Sequence, residues 1–90
     1  MNNYKVQFSE KAIKSMKRLD KYQARIIYAW ALKNLDGCSN PRALGKSLVG
    51  DKKGYWRYRV GSYRIIAEID DTIITINIVN VDHRKDIYEK

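Results

Sequence analysis

The nine residues Trp56-Arg57-Tyr58-Arg59-Val60-Gly61-Ser62-Tyr63-Arg64 constrain this chain more than any other stretch. Trp56, Tyr58 and Val60 alternate with Arg57 and Arg59, the period of two that a half-buried strand imposes. Gly61-Ser62 is a two-residue hairpin turn that opens with glycine, the residue that adopts positive φ without a Cβ clash. Such a turn sets the register, so Val60 faces Tyr63, Arg59 faces Arg64 and Arg57 faces Ile66. Arg57, Arg59 and Arg64 then share one face. Like charges directly opposite each other in an antiparallel pair are unfavourable by about 0.2–1 kcal/mol, and no acid occurs between Tyr55 and Tyr63. The pattern points to an anion held on that face; the competing reading is a solvated row of strand arginines with no ligand.

A chain of 90 residues suffices for one small core, so a single domain over 1–90 is expected. Lys plus Arg number 18 against 10 Asp plus Glu, a formal charge of +8 that favours a polyanion or an acidic protein as partner. The excess sits in residues 1–54, with 12 basic and 4 acidic side chains, whereas 55–90 is balanced. One cysteine, Cys38, makes no internal disulfide, and with one histidine no Cys/His metal site can be assembled, so no metal or cofactor is expected. The start Met1-Asn2-Asn3-Tyr4-Lys5 has no apolar signal core, and no run approaches the roughly 20 apolar residues of a membrane span. A cytoplasmic protein with no membrane partner is the expectation.

Along the chain, Tyr4, Val6 and Phe8 alternate inward as a short strand. Ser9 reads as a helix N-cap, Glu10 suits the first turn, and Phe8 and Ile13 occupy the two positions of a hydrophobic staple. Ala12, Ile13, Met16 and Leu19 form the apolar stripe of the first helix, with Lys11, Lys14, Lys17 and Arg18 on its other side. A break near Asp20-Lys21 precedes a second helix over about 22–36, closed by Gly37. Its stretch 26–32 is apolar nearly all round, which implies either a helix sandwiched in the core or a surface covered by a partner or second copy. Residues 38–55 read as loop, carrying Lys46, Lys52 and Lys53. After the hairpin, a turn at Asp70-Asp71 pairs Ile69 with Thr72, Ala67 with Ile74, Ile65 with Ile76 and Tyr63 with Ile78. Strand parity continued to the end brings His83 to the arginine side. The fold expected is α+β: an N-terminal strand, a two-helix hairpin and a three-stranded antiparallel meander, with the helices packed on one face of a twisted sheet.

A face of arginines lacks a carboxylate pair, an activated serine, a glycine-rich phosphate loop and a metal ligand set. It suits metal-free RNA cleavage, in which the substrate's own 2′-hydroxyl attacks phosphorus and the protein supplies cations, a base and an acid. Arginine holds phosphate oxygens in pairs but stays charged, so His83 and Tyr88 are the candidates for proton transfer.

Lys46-Ser47-Leu48-Val49-Gly50, Gly54-Tyr55 with the hairpin through Ile66, and Val81-Asp82-His83-Arg84-Lys85-Asp86-Ile87-Tyr88 together resemble the RelE family of toxin–antitoxin ribonucleases, within the RelE/ParE superfamily. The opening Tyr4-Lys5-Val6-Gln7-Phe8-Ser9 fits as well, and the ending His83-Arg84 with Tyr88 favours the RelE branch. The resemblance implies a toxin that enters the ribosomal A site, cuts mRNA to leave a 2′,3′-cyclic phosphate, and is held inactive by a cognate acidic RelB-like antitoxin in a higher-order complex. By position Arg64 corresponds to the family's phosphate-stabilising arginine, Arg84 to the arginine acting as acid or charge stabiliser, and Tyr88 to the tyrosine near the attacking group. Arg57 and Arg59 stand where the best-known member has lysines, which shifts proton transfer towards His83 and Tyr88; Val49 stands where it has a further arginine. Lys14, Arg18, Lys21, Lys46, Lys52 and Lys53 would then hold ribosomal RNA. The alternatives are a ParE-like toxin that binds DNA gyrase and cleaves nothing, and a non-catalytic RNA-binding relative.

Overall fold

The computed structural model describes residues 3–49 and 54–83. Strand β1 (Lys5–Phe8) leads into helices α1 (Glu10–Lys17) and α2 (Lys21–Asn34), followed by strands β2 (Lys46–Ser47), β3 (Trp56–Val60), β4 (Tyr63–Asp70) and β5 (Thr75–His83). They form one sheet in the order β1-β5-β4-β3-β2, antiparallel except for the parallel edge pair β1 and β5. The expected α+β arrangement is present, extended by β2, a two-residue strand inside a stretch that reads as loop.

Sequence chemistry accounts for the helix starts. Ser9 accepts a hydrogen bond from the Ala12 amide at 3.1 Å, and Asp20 accepts one from the Tyr22 amide at 3.1 Å. At its far end α2 stops at Asn34, two residues before the expected boundary. Leu35 caps it fully buried, the Asp36 carboxylate turns to the Val6 amide at 3.1 Å, and Gly37 donates to the Tyr4 carbonyl at 2.7 Å. These bonds fasten the end of α2 to β1.

The core lies between the helices and one face of the sheet. Ala12, Ile27, Ala31 and Leu35 meet Tyr58, Val60, Ile65, Ala67, Ile76, Ile78 and Val81 there, and Trp56, Tyr63, Ile69 and Ile74 pack around them half-buried. Each fully buried Ile or Leu contributes about 1.5–3 kcal/mol relative to exposure. The β3–β4 register is the expected one, with Gly61 at φ +60° in the turn.

The β4–β5 register differs from expectation. Asp70 accepts from the amides of Thr72 (2.9 Å) and Ile73 (3.1 Å), which folds 71–74 into a longer turn, so Ile69 pairs with Ile76 and Ala67 with Ile78. That four-residue slip preserves which side chains face the core. A β-bulge at Ile66/Ala67 then changes the phase. Ala67 pairs with Ile78 but Ile66 with Asn80, leaving Val79 as the extra residue. Helix α1 secures the irregularity: the Ser9 hydroxyl donates to the Val79 carbonyl at 3.1 Å, and the Ser15 hydroxyl donates to Asn80 Oδ1 at 2.9 Å.

Ser9 therefore serves as helix cap and as bulge anchor at once. Ser9→Ala is expected to lower stability by about 1–2 kcal/mol, measured by urea unfolding, and to speed hydrogen exchange at the Ala12 amide.

Candidate functional site

Parity along β3 and β4 places Arg57, Arg59 and Arg64 on the face of the sheet turned away from the helices, with Arg59 directly across from Arg64 and Arg57 across from Ile66. On its other side Arg57 pairs with Lys46 of β2, so a lysine predicted to bind RNA joins the arginines. Arg59 is exposed, and Arg57 and Arg64 are half-buried.

The sequence places no acid between Tyr55 and Tyr63, but the fold supplies one to Arg64 from β5. Arg64 Nε donates to Asp82 Oδ1 at 2.9 Å, and its terminal nitrogen reaches Oδ2 at 3.4 Å. The bulge is responsible: it aligns Asp82 with Arg64 and turns Val81 into the core against Ile65. It also moves His83, contrary to simple parity, to the helix side of the sheet. There His83 pairs with Tyr63, the two rings edge to face with centroids 4.7 Å apart. The signal was present in the sequence, because apolar side chains fall on even positions at Ile74, Ile76 and Ile78 and on odd ones at Val79 and Val81.

The other predicted residues divide into two groups. Lys14, Arg18 and Lys21 are exposed on the helical layer, away from the arginine face. Arg84, Tyr88, Lys52 and Lys53 lie outside the described residues.

Sequence reasoning also missed how the loop over 38–45 is built. Tyr58, whose hydroxyl burial pushes far above the usual tyrosine range, donates to the Pro41 carbonyl. Trp56 Nε1 donates to the Leu44 carbonyl at 2.7 Å. Arg42 grips Asp71 through two bonds of 3.1 and 3.0 Å, and the Tyr4 hydroxyl donates to the same carboxylate at 2.7 Å. The hydrogen bonds from Arg42 and then Tyr4 hold the Asp71 carboxyl below its ordinary value.

On the helical side, Phe8, Ile13, Met16, Leu19, Ala24 and Tyr28 line an open groove of about 720 Å³ between α1 and α2, bordered by Lys17, Lys21 and Arg25. Ile26, Tyr28 and Leu32 are exposed while Ile27 and Ala31 are buried, so the surplus apolar surface of α2 is not sandwiched in the core.

A family model described as the ParE toxin of the type II toxin–antitoxin system parDE matches residues 6–88. The chain belongs to the RelE/ParE superfamily of type II toxins. Toxin RelG of Mycobacterium tuberculosis is 32% identical over 87 residues, covering 97% of this chain and 98% of RelG. Among solved structures, the RelBE2 toxin–antitoxin complex of M. tuberculosis aligns with a TM-score of 0.82 at 30% identity, covering 91% of this chain and 99% of that one. The RelB–RelE complex of Methanococcus jannaschii aligns at 0.58 and 30% identity, covering 93% and 96%. A double mutant of Escherichia coli RelE in the free state aligns at 0.72 with 19% identity, covering 93% and 86%, a likeness of fold. The family description carries the ParE name and these relatives the RelE, RelBE or RelG name.

Because the Asp71 carboxyl titrates lower when folded, its stabilising effect is complete above the unfolded value near 3.8 and is lost as pH falls through the folded one. Asp71→Asn is therefore expected to be less stable than the parent at neutral pH and to lose less stability than the parent on acidification below about pH 4, read from urea midpoints across the pH range.

Proposed function

We propose that this toxin is a ribosome-dependent endoribonuclease that cuts mRNA in the A site and so stops translation. The observation that carries the reading is the triad of guanidinium groups on the face of the sheet turned away from α1 and α2, with Lys46 beside them. Arg59 and Arg57 receive the phosphate on either side of the cut, and Arg64, oriented by Asp82, stabilises the extra negative charge of the pentacovalent phosphorus. The 2′-oxygen loses its proton to a base and bonds to phosphorus as the P–O5′ bond breaks. An acid protonates the departing 5′-oxygen, and a 2′,3′-cyclic phosphate remains. His83 stands on the far side of β5 from the arginines, which shifts the base role to Tyr88 and the stabilisation of the leaving oxygen to Arg84. Lys14, Arg18 and Lys21 hold ribosomal RNA from the helical layer, a contribution that weakens with salt.

The inhibitory partner is an acidic antitoxin. Solved relatives are RelB–RelE complexes, and the α1–α2 groove, apolar at its floor and basic at its rim, fits an acidic amphipathic helix. Ile13 is 43% exposed in that groove, so Ile13→Glu keeps the fold while weakening the antitoxin complex by about tenfold or more, read by titration calorimetry.

A second reading is a ParE-like toxin that poisons DNA gyrase without cleaving RNA. The ParE description of the family and the position of His83 favour it. Primer extension on translated mRNA after induction separates the two. The ribonuclease gives ribosome-dependent cuts, reduced about 100-fold or more by Arg59→Ala or Arg64→Ala; the gyrase poison leaves message intact and damages DNA.

A further inference from the structure

Behind the arginine face, at the outer edge of β3, lies a second cleft of about 280 Å³ with a mixed lining: Trp30, Leu44 and Tyr58 on its apolar side, Lys46, Arg57 and Arg59 on its basic side. It exists because β2 is short. Pairing with β3 covers only Trp56 and Arg57, and the chain leaves the sheet at Gly45, so the edge towards Arg59 is not covered by β2. Gly45 is required there. Its φ is +78°, and a Cβ on it would come within 2.2 Å of the Arg57 carbonyl oxygen and 2.9 Å of the Tyr58 ring.

The far wall is fixed before any ligand arrives. The loop that carries Leu44 is tied by Tyr58 at Pro41, by Trp56 at the Leu44 carbonyl and by Arg42 at Asp71. Yet Leu44 itself is 45% exposed, so these bonds hold an apolar side chain at the surface. Opposite, Trp30 packs at a tilt on Tyr58, centroids 5.8 Å apart, and remains half-exposed. Among the described residues no acidic side chain lines the cleft. An aromatic and aliphatic slot flanked by a lysine and two arginines matches an unpaired nucleotide, whose base needs a flat apolar surface and whose phosphate needs forked cations.

We propose that this cleft is a nucleotide subsite of the RNA substrate, with the base resting on Trp30 and Leu44 and its phosphate on Lys46, Arg57 and Arg59. It rests on the ribonuclease reading and adds to it a determinant of where the message is cut. The larger π-face of a purine stacks better on Trp30, so the nucleotide placed here is preferentially A or G.

The test is ribosome-dependent cleavage of a translated mRNA carrying all codons, mapped by primer extension, with Leu44→Glu, Trp30→Leu and Trp30→Phe beside the parent toxin. Leu44→Glu puts a carboxylate at the mouth from an exposed position and is expected to raise KM about tenfold with kcat little changed. Trp30→Leu is expected to flatten the purine preference, while Trp30→Phe keeps it; urea midpoints of both Trp30 variants exclude a folding defect as the cause. If Leu44→Glu and folded Trp30→Leu cut the same sites at parental KM, the subsite is wrong and the ribonuclease reading stands. If Leu44→Glu cuts as the parent does but no longer binds an acidic antitoxin, the cleft serves a protein and the subsite is again wrong. A parent toxin that cuts no message overturns both.

Discussion

Asp82 reaches Arg64 only because β5 carries one more residue than β4 around Val79. Were Val79 paired in the ladder instead of bulged out, parity would put His83 beside the arginines and turn Asp82 into the core, where an unpaired carboxylate is untenable. The extra residue exposes a carbonyl and breaks the ladder, and two serines, the N-cap of α1 and Ser15 within it, compensate by bonding to Val79 and Asn80. The start of the first helix and the electrostatics of the sheet's far face are thereby coupled. The repulsion between Arg59 and Arg64 is relieved from within the chain, which makes Arg64 an oriented cation and leaves Arg59 as the exposed one.

The sheet separates two surfaces of different chemistry. One face carries the guanidinium groups; on the other, the helices leave an apolar groove with a basic border. On the proposed reading, substrate and antitoxin meet different surfaces of the molecule, so an antitoxin can inhibit by bulk at the ribosome or by covering the arginines with a further segment. The charge excess of the first half of the chain belongs largely to the helical layer and the loop after it, while the second half places a few charges at defined positions.

Much of this was legible in the sequence because it depends on local rules. A two-residue glycine turn admits one register, and that register alone aligns Arg57, Arg59 and Arg64. Ser9 and Asp20 precede helices for reasons of hydrogen bonding that act within three residues. The features that escaped are a side-chain bond competing with strand pairing, a strand too short to show a pattern, and contacts between segments distant in sequence. The Asp70 side chain competes with ladder pairing and lengthens its turn, which no strand pattern records. Strand β2 has only two residues and no alternation to display. The bulge left a trace, the apolar shift from even to odd positions at Ile78 and Val79, but reading it required α1 to be in place. The Arg42–Asp71–Tyr4 cluster joins three segments that only the folded chain brings together.

The central claim is that RNA phosphate is held on the arginine face. A titration of the isotope-labelled toxin with a short RNA made uncleavable by 2′-deoxy substitution, followed through the guanidinium NMR signals, tests it directly. The expected result is saturating shifts at Arg57, Arg59 and Arg64, with Arg18 and Arg25 moving only weakly and losing that response as salt is raised. Shifts confined to the helical arginines, with the sheet arginines unmoved, would contradict the account.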